Sequence, residues 1–296
     1  MTPEDRSFYD AKHQWMLQTV PTDGKLRLSD GRELSLFVGT KPEETGPKYL
    51  VIVLPGGGYE FCSFSEDHIV GRYFARAGMD AVTLNYPNID VDEARASGRG
   101  IASEVLYAVG SLIKELRTRS ELGFAQHKIV LCGFSAGGHL AASMCTLYQH
   151  ELLSDLWGAG GEERNLLRPD GAILCYPVIS AEPSLAHEVT FTCFTGSSEP
   201  QAWAPYSCER NVTAATPPMF IWHTATDISV AVGNSLALAQ ALWQHGVPCE
   251  LQVKARGEHG ASLACDEIDP GIFSHADPYL EPWFNAAVTF VRTFVR

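Results

Sequence analysis

Short, almost wholly apolar runs recur along this chain, each followed by a segment of helical periodicity. "YLVIVLP" (49–55) is the purest of them. A strand with one wet face alternates apolar and polar residues, so a run without polar positions implies cover on both faces. "MDAVTLNYP" (79–87), "HKIVLC" (127–132), "GAILCYP" (171–177), "PMFIWHT" (218–224) and "PCELQVK" (248–254) read as further strands. Between them, 65–78 places Ile69, Tyr73, Phe74 and Ala77 on one helical face. The stretch 97–122 carries Ile101, Val105, Ala108, Leu112 and Leu116 at helical spacing, and 234–246 reads as helix. Trp283, Ala287, Phe290 and Phe294 share one face of a closing helix. This alternation predicts the α/β class: a mostly parallel sheet with helices on both faces. "RELSLFVG" (32–39) alternates and reads as an antiparallel strand. Residues 178–216 break the rhythm with Pro183, Pro200 and Pro205, and read as a lid-like insertion before the strand at 218–224. With 296 residues and 45% hydrophobic content, the expectation is one domain over 1–296.

Composition excludes several partner classes. A formal net charge of −13 argues against nucleic acid and against an anionic membrane surface. No apolar run reaches the length needed to span a bilayer. The stretch "MTPEDRSFYDAKHQW" has no apolar core of a signal peptide, so the expected compartment is the cytoplasm. The eight cysteines contain no C-x-x-C pair, and several lie in apolar patterns, where buried free thiols are expected. No H-x-H or H-E-x-x-H occurs, and no metal or organic cofactor is implied. A homo-oligomer is left open.

A parallel sheet puts its functional loops at the carboxyl ends of its strands. Four such ends carry chemistry here. Pro55-Gly56-Gly57-Gly58-Tyr59 follows the first run, and consecutive glycines let backbone N–H groups approach a ligand. A phosphate loop or a plain tight turn are the competing readings, although the Gly-Lys-Ser/Thr ending of the former is missing. "VLCGFSAGGHL" (130–140) puts Ser135 between Gly133 and Gly137 where a strand meets a helix. In that pattern the turn is so sharp that the serine takes a strained backbone and projects its hydroxyl. Asp227 follows the strand at 218–224, and His259 follows the strand at 248–254. Serine, then acid, then histidine is the chain order expected of a hydrolase triad. Asp266 and Asp269 are rival partners for His259, disfavoured by that order. His139, one turn past Ser135, reads as a packed or hydrogen-bonded residue.

These residues resemble a known family. "LPGGGY", "GFSAGGHLAAS", "CYPVIS", "TPPMFIWHTATD" and "GVPCELQV…GEHGASLA" are similar to bacterial α/β-hydrolase esterases related to acetylxylan esterases and the BD-FAE group. The resemblance runs from about Leu50 to the carboxyl terminus and is looser over 178–216. It implies an α/β-hydrolase fold, with Ser135 as nucleophile, His259 as base and Asp227 as its orienter. It also implies an oxyanion hole built from the backbone N–H groups of Gly57, Gly58 and Ala136. Pro55 stands where many relatives have a histidine, and Thr226 where relatives often have a second aspartate.

The expected function is a serine carboxylesterase removing short acyl groups from a small-molecule ester, acetyl-sugars among the candidates. A peptidase or amidase on the same triad and a non-catalytic binding scaffold are the alternatives. Tyr59 and His187 are candidate substrate-contacting residues. In 178–216, Phe191, Phe194, Trp203 and Tyr206 are interleaved with polar groups. Such a mixture suits a sugar ring, and it equally suits anchoring of the insertion to the core.

Overall fold

Alternate residues of the central strands feed two separate cores. In β3 (Tyr49–Leu54), Leu50, Ile52 and Leu54 belong to one buried cluster, and Val51 and Val53 belong to the other. In β5 (Lys128–Phe134), Ile129 and Leu131 face the first cluster, whereas Val130, Cys132 and Phe134 face the second. Side chains alternate across a strand, so a run with no polar position must meet apolar layers above and below.

The computed structural model describes residues 3–40, 46–158, 161–267 and 276–296. Its order opens with α1 (Pro3–Thr19), β1 (Gly24–Arg27) and β2 (Glu33–Phe37), before β3. Next come α2 (His68–Arg76), β4 (Asp80–Thr83), α3 (Val91–Ser97) and α4 (Ala102–Thr118), leading to β5. After β5 follow α5 (Ser135–Leu147), the short α6 (Ser154–Trp157) and α7 (Glu162–Asn165), and β6 (Gly171–Cys175). The chain closes with α8 (Glu188–Thr195), α9 (Pro200–Trp203), β7 (Met219–Thr224), α10 (Gly233–Gln244), β8 (Cys249–Lys254) and α11 (Trp283–Phe294). The strands form one eight-stranded sheet in the order β1-β2-β4-β3-β5-β6-β7-β8. Pairing is antiparallel from β1 through β2 to β4 and parallel throughout the rest. The central β3, β5 and β6 are buried, and their carboxyl ends share one rim of the sheet.

Several elements depart from the expected pattern. The helix expected over 97–122 begins only at Ala102. Before it, α3 is capped by the Asp90 carboxylate, which accepts N–H bonds from Asp92 and Glu93, and it ends at Gly98 with φ 66°. Gly100 lies so close to α8 that a Cβ there would sit 2.3 Å from the carbonyl carbon of Thr195. The helix expected over 65–78 splits into a single 3-10 turn (Phe64–Glu66) and α2. Neither α1 nor β1 carries a periodicity that announced it. Met16 of α1 is fully buried, and His13 of α1 hydrogen-bonds Asp67 at 2.9 Å.

The segment 178–216 folds back on the sheet around its own small core. Val178, Ala181, Phe191 and Trp203 pack there with Val230, while Phe194 joins the larger core. Of the two readings left open for these aromatics, the anchoring one holds for Phe191, Phe194 and Trp203, which are buried in these cores. All eight cysteines are free thiols, six of them buried. Among the described residues, no helix is long and apolar enough to cross a membrane.

Candidate active site

Ser135 is both the residue after β5 and the first of α5. Its φ of 50° lies in the left-handed region, which costs a side chain of this kind energy. The flanking glycines are there because the turn has no room. A Cβ on Gly133 would sit 2.2 Å from the Gly137 carbonyl oxygen, and one on Gly137 would sit 2.1 Å from that of Leu54. Helix α5 can start against the ends of β3 and β5 only with bare backbone at both positions.

The structure brings Ser135, Asp227 and His259 together. Ser135 Oγ lies 2.9 Å from His259 Nε2, and His259 Nδ1 lies 2.6 Å from Asp227 Oδ2. Asp227 Oδ1 accepts the backbone N–H groups of Ser229 and Val230, both at 2.9 Å. Behind it, fully buried His223 places Nε2 3.2 Å from Asp227 Oδ2 and 2.9 Å from the Val230 carbonyl. A carbonyl only accepts, so His223 Nε2 carries the proton, and Nδ1 accepts from Ser235 Oγ at 2.8 Å. Burial pushes the Asp227 carboxyl up, but the bonds from His223 and His259 outweigh it and hold the group well below the usual carboxylate range. An ionised Asp227 can only accept. His259 Nδ1 therefore carries the ring proton, and its bare Nε2 faces the serine hydroxyl.

Thr226 helps to fix the histidine loop. Its hydroxyl donates to the Gly257 carbonyl at 2.9 Å and accepts the Gly257 N–H at 3.0 Å. Thr224 donates to the same carbonyl. Gly257 has φ 148° and Gly260 has φ 78°, so the two glycines bracket the turn that presents His259. Asp266 is exposed, and no bond joins it to His259; Asp269 lies outside the described residues.

A pocket of about 490 Å³ opens over Ser135 and His259. Gly57, Gly58 and Phe61 form one wall, with Phe8 of α1, Ser63, Ser65, His187, Val189 and Ser229 around them. Gly57 turns with φ 124°, and a Cβ there would sit 2.2 Å from the Phe61 carbonyl oxygen. Ala136 lies beneath Ser135 in the first turn of α5, where a backbone N–H has no partner within the helix. His187 accepts the Thr190 N–H on Nδ1, which leaves the proton on Nε2. Burial and the nearby His259 depress its basicity, so it offers a neutral N–H donor on the pocket wall.

Tyr59 is a correction. It is fully buried and does not line the pocket; its hydroxyl bonds His139 Nδ1 at 3.0 Å and its ring packs on Tyr86 and Phe194. Tyr59 itself adopts φ 67°, in the left-handed region, and its side chain enters the core. His139 is the buried, hydrogen-bonded residue expected. Its basicity falls to about 4 through burial, and it bonds the Tyr206 carbonyl as well.

Two site residues escape a sequence reading. His223 lies in the apolar run of β7, and Glu66 lies in what reads as the polar start of a helix. For His223 there is one signal: a polar side chain in a strand covered on both faces needs a buried partner. Glu66 offers none.

A family model described as the alpha/beta hydrolase fold matches residues 51–263. Endo-1,4-beta-xylanase B of Butyrivibrio fibrisolvens is 31% identical over 222 residues, covering 75% of this chain and 34% of that protein. Acetylxylan esterase of Xylanibacter ruminicola is 26% identical over 242 residues, covering 79% of this chain and 45% of that protein. The chain thus spans less than half the length of these two curated relatives. Among solved structures, an acetyl ester-xyloside bifunctional hydrolase from Caldicellulosiruptor lactoaceticus aligns with a TM-score of 0.72 at 27% identity, covering 93% of this chain and 97% of that one. The carboxylesterase Cest-2923 from Lactobacillus plantarum aligns with a TM-score of 0.70 at 27% identity, covering 91% and 96%. With the sheet order, the serine turn and a family match over most of its length, this chain belongs to the alpha/beta hydrolase fold family.

Proposed function

We propose that this chain is a serine carboxylesterase that cleaves short acyl esters, with acetylated sugars as the favoured substrates. The observation that carries the reading is the unbroken hydrogen-bond path from Ser135 Oγ through His259 to Asp227, opening on the pocket.

In this reading Ser135 Oγ attacks the ester carbonyl as its proton passes to His259 Nε2. Asp227 holds the tautomer and stabilises the imidazolium. The developing oxyanion is received by backbone N–H groups of Gly57, Gly58 and Ala136. His259 returns the proton to the leaving alcohol, and water then releases the acyl group from Ser135 by the same steps. In this reading His187 Nε2–H donates a hydrogen bond to the substrate. The volume suits a small ligand; Ser63, Ser65, Ser229 and His187 offer hydrogen bonds to a polar alcohol side, beside apolar surface from Phe8, Phe61, Phe64 and Val189. The acetyl-ester and xylan-related names of the relatives support the sugar assignment.

Two measurements test this. Ser135→Ala should fold normally, resist a fluorophosphonate probe and lose kcat by about 10⁶, the scale set by other serine triads. The wild type should favour nitrophenyl acetate over octanoate and release acetate from acetylated xylose. Octanoate matching acetate rejects the short-acyl preference, and faster cleavage of a matched anilide favours the amidase alternative.

A further inference from the structure

Behind Ser135 lies a carboxylate that these steps do not use. Glu66 lines the pocket and is 2% exposed. Its Oε2 accepts the Gly56 N–H at 2.7 Å, at the start of the glycine loop. Its Oε1 accepts the Tyr176 hydroxyl at 2.6 Å, just past β6. Tyr176 Oη in turn accepts the Ser262 N–H at 2.9 Å, three residues beyond His259. Ser262 Oγ donates to the Ser65 carbonyl beside Glu66, which closes the circuit. The edge of the circuit also touches the base: the Tyr176 and His259 rings meet edge-on with centroids 5.0 Å apart.

Backbone strain gathers at this circuit. Ser135, Tyr176 and Ser262 have φ of 50°, 38° and 48°, all in the left-handed region. Such residues persist only where their surroundings over-determine them. Glu66 is the side chain that joins all three neighbourhoods. A Cβ on Gly56 would lie 2.7 Å from Glu66 Oε2 and 3.0 Å from Ser135 Cβ, so the carboxylate sits directly against the serine turn.

We propose that Glu66 is a positioning residue of the esterase reaction: it locks the glycine loop to the His259 loop and sets a second negative charge near the imidazole. The proposal rests on the esterase reading above. A donor faces each carboxylate oxygen, which is the pattern of the ionised group. Burial pushes the carboxyl up, opposed by the Tyr176 and Gly56 hydrogen bonds and by His259. The other titratable groups near its charge are Cys62, Tyr86, Cys175 and Tyr176, and burial pushes all four up, away from neutral pH. Asp67, the next residue, is engaged by His13, His68 and Asn85. His259 is thus the group of the proposed reaction that faces the Glu66 charge.

Glu66→Gln keeps the volume, and its amide oxygen can still accept the Gly56 N–H, but its N–H₂ then faces the Tyr176 hydroxyl. That hydroxyl loses its acceptor and must take a second donor beside the Ser262 N–H, which weakens the tie. Tyr176→Phe breaks the same tie from the other side without changing the ring. For each variant we expect kcat on nitrophenyl acetate to fall by about 10- to 100-fold, a misplaced oxyanion donor setting the scale, with KM within about 3-fold. The double variant should lose no more than the worse single, because both remove one link. The acid limb of kcat/KM should move to lower pH in Glu66→Gln and stay in place in Tyr176→Phe. Wild-type labelling by a fluorophosphonate separates the two readings. A wild type that neither labels nor turns over an ester fails the esterase reading, and this proposal with it. A wild type that labels, with Glu66→Gln labelling at the same rate, overturns the positioning role alone. So does a pair of losses that multiply in the double variant, or a loss confined to KM.

Discussion

Asp227→Asn is the most informative single substitution, because the backbone dictates how the new amide must sit. Ser229 and Val230 both point N–H groups at Oδ1, each at 2.9 Å. Only the amide oxygen can accept them, so the amide nitrogen is forced into the Oδ2 position. There it faces His259 Nδ1, 2.6 Å from the present oxygen. His259 must then accept on Nδ1 and carry its proton on Nε2. An N–H now confronts the Ser135 hydroxyl, and the base cannot take its proton. In other triads this wrong tautomer costs about 10⁴ in kcat, equal to roughly 5 kcal/mol of barrier. The stability cost is separable and smaller. His223 Nε2–H loses a 3.2 Å acceptor but keeps the Val230 carbonyl at 2.9 Å, so about 1 kcal/mol is expected. The assay is kcat on nitrophenyl acetate beside the denaturant midpoint, with exposed Asp266→Asn as the control that should change neither. Retention of more than a hundredth of wild-type kcat by Asp227→Asn would refute the tautomer argument, as would a larger loss in the control.

Other residues give equally direct outcomes. Gly137→Ala places a Cβ 2.1 Å and 2.4 Å from the carbonyl oxygens of Leu54 and Pro55, so stability should drop by about 3 kcal/mol or more; a variant melting within a degree of wild type contradicts the crowding. Tyr59→Phe should cost about 1 kcal/mol through its lost bond to His139 and leave KM unchanged, whereas a large rise in KM would restore it as a substrate contact. The bond to Asp67 raises His13, so the clasp on α1 is fully present below about 6.5 and is lost as pH rises through the raised value. Hydrogen exchange in α1, corrected for intrinsic rates, should therefore accelerate as pH rises past that raised value in wild type and show no such step in His13→Gln.

What the sequence makes legible depends on whether a residue's place follows from its own strand. Ser135, Asp227 and His259 stand just beyond β5, β7 and β8, and parallel strands in one sheet bring those ends to one rim. Their meeting is readable although Ser135 and His259 are 124 residues apart. The apolar run of β3 likewise declares two covered faces. The helix at Ala102 is harder to place, because Gly98 ends α3 in the left-handed region and Gly100 lies against α8, a contact that only the fold supplies. The aromatics of 178–216 leave two readings open for a related reason. Phe191 and Phe194 lie in α8 and Trp203 ends α9, helices too short to set one face apart, so nothing in their order tells a wall of a pocket from a plug in a core.

The buried polar residues resist reading on different physical grounds. A lone polar side chain in an apolar run states a requirement without naming who meets it. His223 in β7 must be satisfied, yet Asp227 serves it only because the chain turns back through Ser229 and Val230. Glu66 states even less, since a carboxylate near a helix start is ordinarily solvated. Its partner Tyr176 is 110 residues away and points at it only because φ at Tyr176 is 38°, a value that sequence periodicity does not anticipate. Each link needs the sheet first and the strained turns second. The meeting of Ser135, Asp227 and His259 needs the sheet and turns that the glycines beside Ser135 and His259 announce. That ordering explains why these three residues can be found from strand ends and their glycines, while the groups that hold them in register emerge only when distant turns are seen to converge on one buried carboxylate.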